Sequence, residues 1–115
     1  MRRLFVAILA IGVFVVPATS LAGQDKDLVA KGEKLYAASK CSTCHSIAGK
    51  GNKKGPLDEV GSKLKPEEIR QWLINPQEMT VKTKSTRKPP MSSYAKLAKE
   101  DIEALVAYMQ SLKKK

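Results

Sequence analysis

The chain of 115 residues contains one histidine, two cysteines and one tryptophan, and only 5% of it is aromatic. One histidine cannot give two imidazole ligands to a metal within a single chain. Two cysteines allow at most one disulfide, so the chain is not a disulfide-dense scaffold. A zinc centre would need Asp or Glu to complete its ligand set. There is no internal repeat and no long linker, which leaves no sign of a repeat architecture. Acidic residues are scarce as well: 11 face 21 basic residues, for a formal charge of +10.

The longest apolar run lies at the N-terminus, and it is too short to span a bilayer. Met1-Arg2-Arg3 is basic, residues 4–16 are apolar or glycine, Pro17 ends the run, and small residues follow up to Gly23. A spanning helix needs about 20 apolar residues, whereas this order matches a secretory signal peptide. We expect residues 1–22 to be the signal, cut after Ala22, with Ser20 as the other candidate site and an uncleaved anchor as the alternative. The mature domain would then be 23–115. Its loss of Arg2 and Arg3, with no acid, leaves a charge of +8. Export to the periplasm follows from this reading. So does a single small domain that needs a staple, because so short a chain buries only a modest core.

Periodicity places helices in the mature chain and reads no strand. Residues 25–39 carry Leu28, Val29, Gly32, Leu35 and Tyr36 on one face, with Asp25 as a plausible N-cap. Residues 48–55 form a basic, glycine-rich loop. Lys65-Pro66-Glu67-Glu68 opens a short helix, with proline in its first turn and acids near its positive end. Ile69, Trp72 and Leu73 give it an apolar face, and Asn75-Pro76 ends it. Residues 77–90 have no period and read as an exposed loop. A last helix over 99–112 buries Ile102, Leu105, Val106, Met109 and Leu112, and Ala98 before it is a poor cap. The architecture expected is all-α, three to five helices. Loops this long are unusual in such a domain unless something fills its centre.

Cys41-Ser42-Thr43-Cys44-His45 supplies that something. C-x-x-C-H is the attachment pattern of haem c. Cysteines three positions apart lie about one helical turn apart on one side, so each sulfur can join a haem vinyl group. The next residue, histidine, then becomes the proximal iron ligand. The chain has no other cysteine or histidine, and an export signal precedes the motif. The rivals are a plain disulfide and a redox dithiol, but the strand-rich setting of a thioredoxin-like site is lacking.

These residues and their surroundings resemble the class I c-type cytochromes over residues 28–112. Gly32 and Tyr36 resemble that family's glycine and aromatic at its N-terminal helix crossing. Gly55-Pro56-Leu57 resembles its loop on the histidine side of the haem, and Ala107-Tyr108 its final aromatic. The resemblance implies crossed terminal helices around one covalent haem. It also implies that the Pro56 carbonyl accepts the His45 Nδ1–H, with Leu57 nearby.

The sixth ligand is open between sulfurs. Met109 lies on the core stripe of the last helix. Met79 follows Asn75-Pro76. Met91 follows Pro89-Pro90, whose fixed φ stiffens the approach, and the family carries its distal methionine in such a loop. We expect His45 and Met91 on iron, with Met79 next. Trp72 could donate to a haem propionate or simply pack, and so could Tyr94. Leu57, Leu64, Leu73 and Leu97 read as pocket wall. The function expected is electron transfer by iron cycling between redox partners, not enzymatic turnover. Alternatives are a haem subunit of a larger oxidoreductase, a gas-binding sensor or a minor peroxidase. The basic surface suits transient, acidic protein partners. Nucleic acid is not expected, a monomer is, and the 113–115 lysine tail leaves contact with anionic headgroups open.

Overall fold

A computed structural model describes residues 12–13 and 21–115, with side chains described at 12–13 and from residue 26 onward. Most of the expected signal peptide, 1–22, lies outside the described residues.

The first helix, α1 (Leu21–Ala38), begins upstream of Asp25. Asp25 therefore sits inside the helix rather than capping it; Leu21 and Ala22 are strong helix formers that let it extend backwards. It stops at Lys40, whose φ of 56° is left-handed. The Ser39 N–H donates to Leu35 O at 2.8 Å and the Lys40 N–H to Ala37 O at 3.2 Å, closing the last turn.

Two-residue strands follow, β1 (Ser46–Ile47) and β2 (Lys50–Gly51), paired antiparallel with Ser46 opposite Gly51. Periodicity does not reveal these strands, because alternation cannot show over two residues. The turn between them carries positive φ at both Ala48 and Gly49, as tight hairpin turns require.

Four helices complete the chain: α2 (Val60–Lys63), α3 (Pro66–Ile74), α4 (Pro76–Thr83) and α5 (Lys99–Ser111). In α3 the Glu68 carboxylate accepts the Lys65 N–H at 3.2 Å. The helix α4 corrects the reading of 77–90 as loop throughout. Asn75 Oδ1 accepts the Glu78 N–H, and Asn75 Nδ2 donates to Glu78 Oε2 at 2.8 Å. Pro76 stands at the first helical position, so a cap and a preset φ start the helix. Ala98 makes no side-chain cap for α5, as expected.

The core is built where α5 meets α1 and α3. Ile102, Leu105, Val106 and Met109 of α5 are buried with Tyr36 of α1 and with Ile69 and Leu73 of α3. Each such side chain contributes about 1.5–3 kcal/mol on burial. The helices α1 and α5 approach backbone to backbone at Gly32. A Cβ there would lie 2.6 Å from Tyr108 Cβ and would run into the Ala104 carbonyl. Next to this contact the Tyr36 and Tyr108 rings meet edge to face, centroids 5.8 Å apart. Lys31 of α1 pairs with Asp101 in the first turn of α5 at 3.1 Å. The guanidinium of Arg70 on α3 grips Glu103 of α5 with two bonds of 2.7 and 2.9 Å. The all-α architecture with packed terminal helices is as expected.

Between α4 and α5 the chain has no regular structure, yet it is fixed to α3. The Tyr94 N–H donates to Leu73 O at 2.7 Å, and Ser93 Oγ donates to Ile74 O at 2.7 Å. These bonds satisfy two carbonyls left open at the end of α3. They fix the backbone two and three residues after Met91.

Candidate haem-attachment site

After the left-handed Lys40, residues Cys41–Thr43 form one turn of 3₁₀ helix. The N–H groups of Cys44 and His45 both donate to Cys41 O, at 3.1 and 2.9 Å. The two cysteines are thus one turn apart, both free and both half-buried, and the histidine follows immediately. Burial pushes the Cys41 thiol above its ordinary pKa, and the neighbouring Cys44 adds to the rise against a backbone hydrogen bond that lowers it. A dithiol that attacks disulfides needs the opposite shift, because the thiolate is the nucleophile.

A second loop clamps the motif. The Asn52 N–H points at both Ser42 O and His45 O, 3.0 Å from each, and Asn52 Nδ2 donates to Thr43 O at 3.2 Å. His45 Nδ1 lies 3.1 Å from Gly55 O. The same carbonyl accepts the Ser46 N–H at 3.0 Å. The acceptor for His45 is therefore Gly55, not Pro56 as the family resemblance implied. Ser46 explains this: it takes Gly55 O through its N–H and gives its own carbonyl to the Leu57 N–H at 2.8 Å. Ser46 and Pro56 so form a parallel bridge. Successive carbonyls of extended backbone alternate in direction, and the bridge turns that of Gly55 toward the imidazole. Gly55 is buried, and a Cβ on it would collide with Cys44 O and the Arg87 guanidinium.

The bond through Nδ1 fixes the imidazole so that Nε2 is left to ligate. The His45 pKa is held below its ordinary value, first by burial and also by the nearby Arg87 charge, against the opposing Gly55 bond. The neutral ring, which is the ligating form, is therefore favoured.

An apolar wall adjoins the motif at Cys41. Cys41, Leu57, Leu64, Met91, Tyr94 and Leu97 all pack half-buried on the core cluster that includes Leu73. Burial raises the Tyr94 pKa, and the charges of Cys41 and Cys44 raise it further. Met79 is buried in α4 but is not part of this cluster, and Met109 is core, as its stripe position indicated. Trp72 is only half-buried on α3, outside the cluster, and Pro56 is exposed.

The donor set suits a covalent haem. Two free thiols one turn apart stand beside an imidazole with Nε2 available and against an apolar wall. The Tyr36 hydroxyl is the one buried side-chain polar atom without a partner among the described residues, and burial pushes its pKa up to about 12. Leaving such a group unmatched costs about 1–3 kcal/mol. Among the described residues no three His, Cys, Asp or Glu side chains cluster as a metal site would require.

Beside Cys44 a cleft of about 410 Å³ is lined by Asn52, Lys54, Arg87 and Lys88 with Thr43 and Pro89. It holds three cationic side chains and no carboxylate. Sequence reasoning missed Asn52, Gly55 as acceptor, and Arg87. The first two lie in the glycine-rich loop it marked, whereas Arg87 carried no signal beyond its charge.

The Cytochrome c family model matches residues 29–113. Cytochrome c oxidase subunit 2 of Alkalihalophilus pseudofirmus is 27% identical over 95 residues, covering 75% of this chain and 26% of that protein. The chain thus corresponds to about a quarter of that relative's length. No solved structure matches the chain.

Proposed function

Since the chain belongs to the cytochrome c family, whose members transfer electrons through haem, we propose that it carries one haem on Cys41 and Cys44, with iron between His45 Nε2 and Met91 sulfur. The observation that carries this is the single constellation of two free thiols one turn apart and an imidazole pinned at Nδ1 by Gly55. Bound there, haem supplies a one-electron ferrous–ferric couple. The protein's part is to hold and tune it. Gly55 orients the proximal ring, the apolar wall excludes water, and a thioether on the distal side favours the ferrous state relative to a second nitrogen ligand.

Met91 is preferred to Met79 because it packs on the same apolar cluster as Cys41. Were His45 and Met91 both to hold the iron, no open position would remain for a substrate, which favours a carrier over an enzyme. The cationic cleft beside Cys44 suits brief contact with acidic redox proteins. The N-terminal pattern supports work in the periplasm. Among the described residues no helix is long and apolar enough to cross a membrane.

Likeness to part of an oxidase subunit favours a second reading, in which the chain is the haem-bearing portion of a larger electron-transfer complex. Optical spectra of the oxidised and reduced protein test the first proposal. A low-spin haem c with a sulfur–iron charge-transfer band, lost in Met91→Ala and kept in Met79→Ala, is the expected result. Loss only in Met79→Ala would overturn the ligand choice, and an open coordination position in the native ferrous protein would overturn the carrier reading. Isolation of the native protein in a stable stoichiometric complex would favour the second.

A further inference from the structure

Arg87 stands four residues before Met91, in the irregular segment that follows α4. Its side chain reaches across the fold. Nη2 donates to the carbonyl of Cys44, and the guanidinium covers Gly55, where a Cβ would strike it. One side chain therefore touches the second cysteine of the motif and the residue whose carbonyl holds His45. The other end of the segment is fixed too, by Ser93 to Ile74 O and by the Tyr94 N–H to Leu73 O, both at 2.7 Å. Met91 thus lies on a short span tied at both ends, and Pro89 and Pro90 within it have restricted φ. Without the Arg87 tie, only the α3 side would hold the methionine near the motif.

We propose that Arg87 is a positioning residue for the distal ligand, latching the Met91 segment to the Cys44 carbonyl and so keeping the thioether on iron. The inference deepens the assignment of Met91 as ligand and rests on it. Its consequence follows from competition. A weak thioether leaves iron for a fraction of the time, and an external ligand binds ferric protein only during that fraction. Apparent affinity for such a ligand scales with the open population. A lost charge-assisted hydrogen bond at a half-buried site should enlarge that population about tenfold.

The test titrates imidazole into the ferric, haem-loaded full chain while following the methionine charge-transfer band. The proteins are wild type, Arg87→Gln, Arg87→Lys, Met91→Ala and Met79→Ala. Arg87→Gln should bind imidazole about ten times more tightly and show a weaker band. Arg87→Lys, which keeps a cationic donor, should recover most of the wild-type behaviour. Wild-type affinity in Arg87→Gln, alongside much tighter binding in Met91→Ala, would overturn the latch and leave the ligand assignment standing. A band kept in Met91→Ala and lost in Met79→Ala would overturn the assignment itself, and with it the latch. Equal changes in Arg87→Gln and Arg87→Lys, with an equally lowered melting temperature of the ferrous protein, would reduce Arg87 to a structural role and also overturn the proposal.

Discussion

His45 Nδ1 lies 3.1 Å from the carbonyl oxygen of Gly55, and that one contact orients the imidazole and would set its basicity toward an iron. Gly55→Ala would force a methyl against Cys44 O and Arg87, displacing the acceptor. Overpacking of this kind costs about 1–3 kcal/mol. A weaker Nδ1 bond makes the imidazole a poorer donor to ferric iron, so the reduction potential should rise. Redox titration and thermal melting of the variant check both effects; an unchanged potential would mean that the contact does not tune the iron.

How much of this was legible beforehand depended on the range over which each feature is specified. Cys41, Cys44 and His45 lie within five residues, and one turn of backbone decides their geometry. The stripe Ile102, Leu105, Val106 and Met109 repeats over a whole helix, so α5 could be read almost to its ends. By contrast, the choice of Gly55 over Pro56 as acceptor depends on a bridge from Ser46, ten positions before Pro56. Arg87 reaches Cys44 across 43 positions. Neither leaves a local pattern. The helix α4 is different: Asn75-Pro76-Gln77-Glu78 is a cap, a first-turn proline and an acid at the third position, a local start signal that coincides with the stop of α3 and is masked by it.

Asn75 should therefore matter more than a loop residue would. Asn75→Ala removes the acceptor for the Glu78 N–H and the bond to Glu78 Oε2. A loss of about 1 kcal/mol is expected, with faster amide exchange across residues 76–83. Exchange unchanged in that helix would show that packing of Met79, not the cap, sustains it.

The crossing of α1 and α5 leaves no room at Gly32. Gly32→Ala, although it raises helix propensity, should destabilise the domain by about 1–3 kcal/mol, because the new methyl meets Tyr108 Cβ and a main-chain oxygen that cannot give way. For a domain of this size each kcal/mol lowers the melting temperature by about 4–8 °C. A melting temperature equal to or above that of the parent would show that the helices can separate without loss.

The Arg70–Glu103 pair predicts a specific pH dependence. The hydrogen bond from Arg70 holds the Glu103 carboxyl below its ordinary range. A carboxyl whose pKa is depressed by folding contributes stability above its unfolded value, about 4.3. That contribution is lost as pH falls through the depressed folded value. Both side chains are about one-third exposed, at 30% and 36%, so about 0.5–1 kcal/mol is expected. Glu103→Gln should therefore be less stable than the parent at pH 7, and the gap should close in acid. A gap that stays constant from pH 7 to pH 3 would assign the loss to packing instead.

Covalent attachment of haem to Cys41 and Cys44 is read out by intact-mass measurement of protein purified from a host able to attach haem to cysteines. The expected mass exceeds that of the polypeptide by one haem, is retained after acid and solvent extraction, and falls to the bare polypeptide when Cys41 and Cys44 are both replaced by serine. A chain that emerges from such a host at the mass of bare polypeptide, with two free thiols or a disulfide, would contradict that attachment.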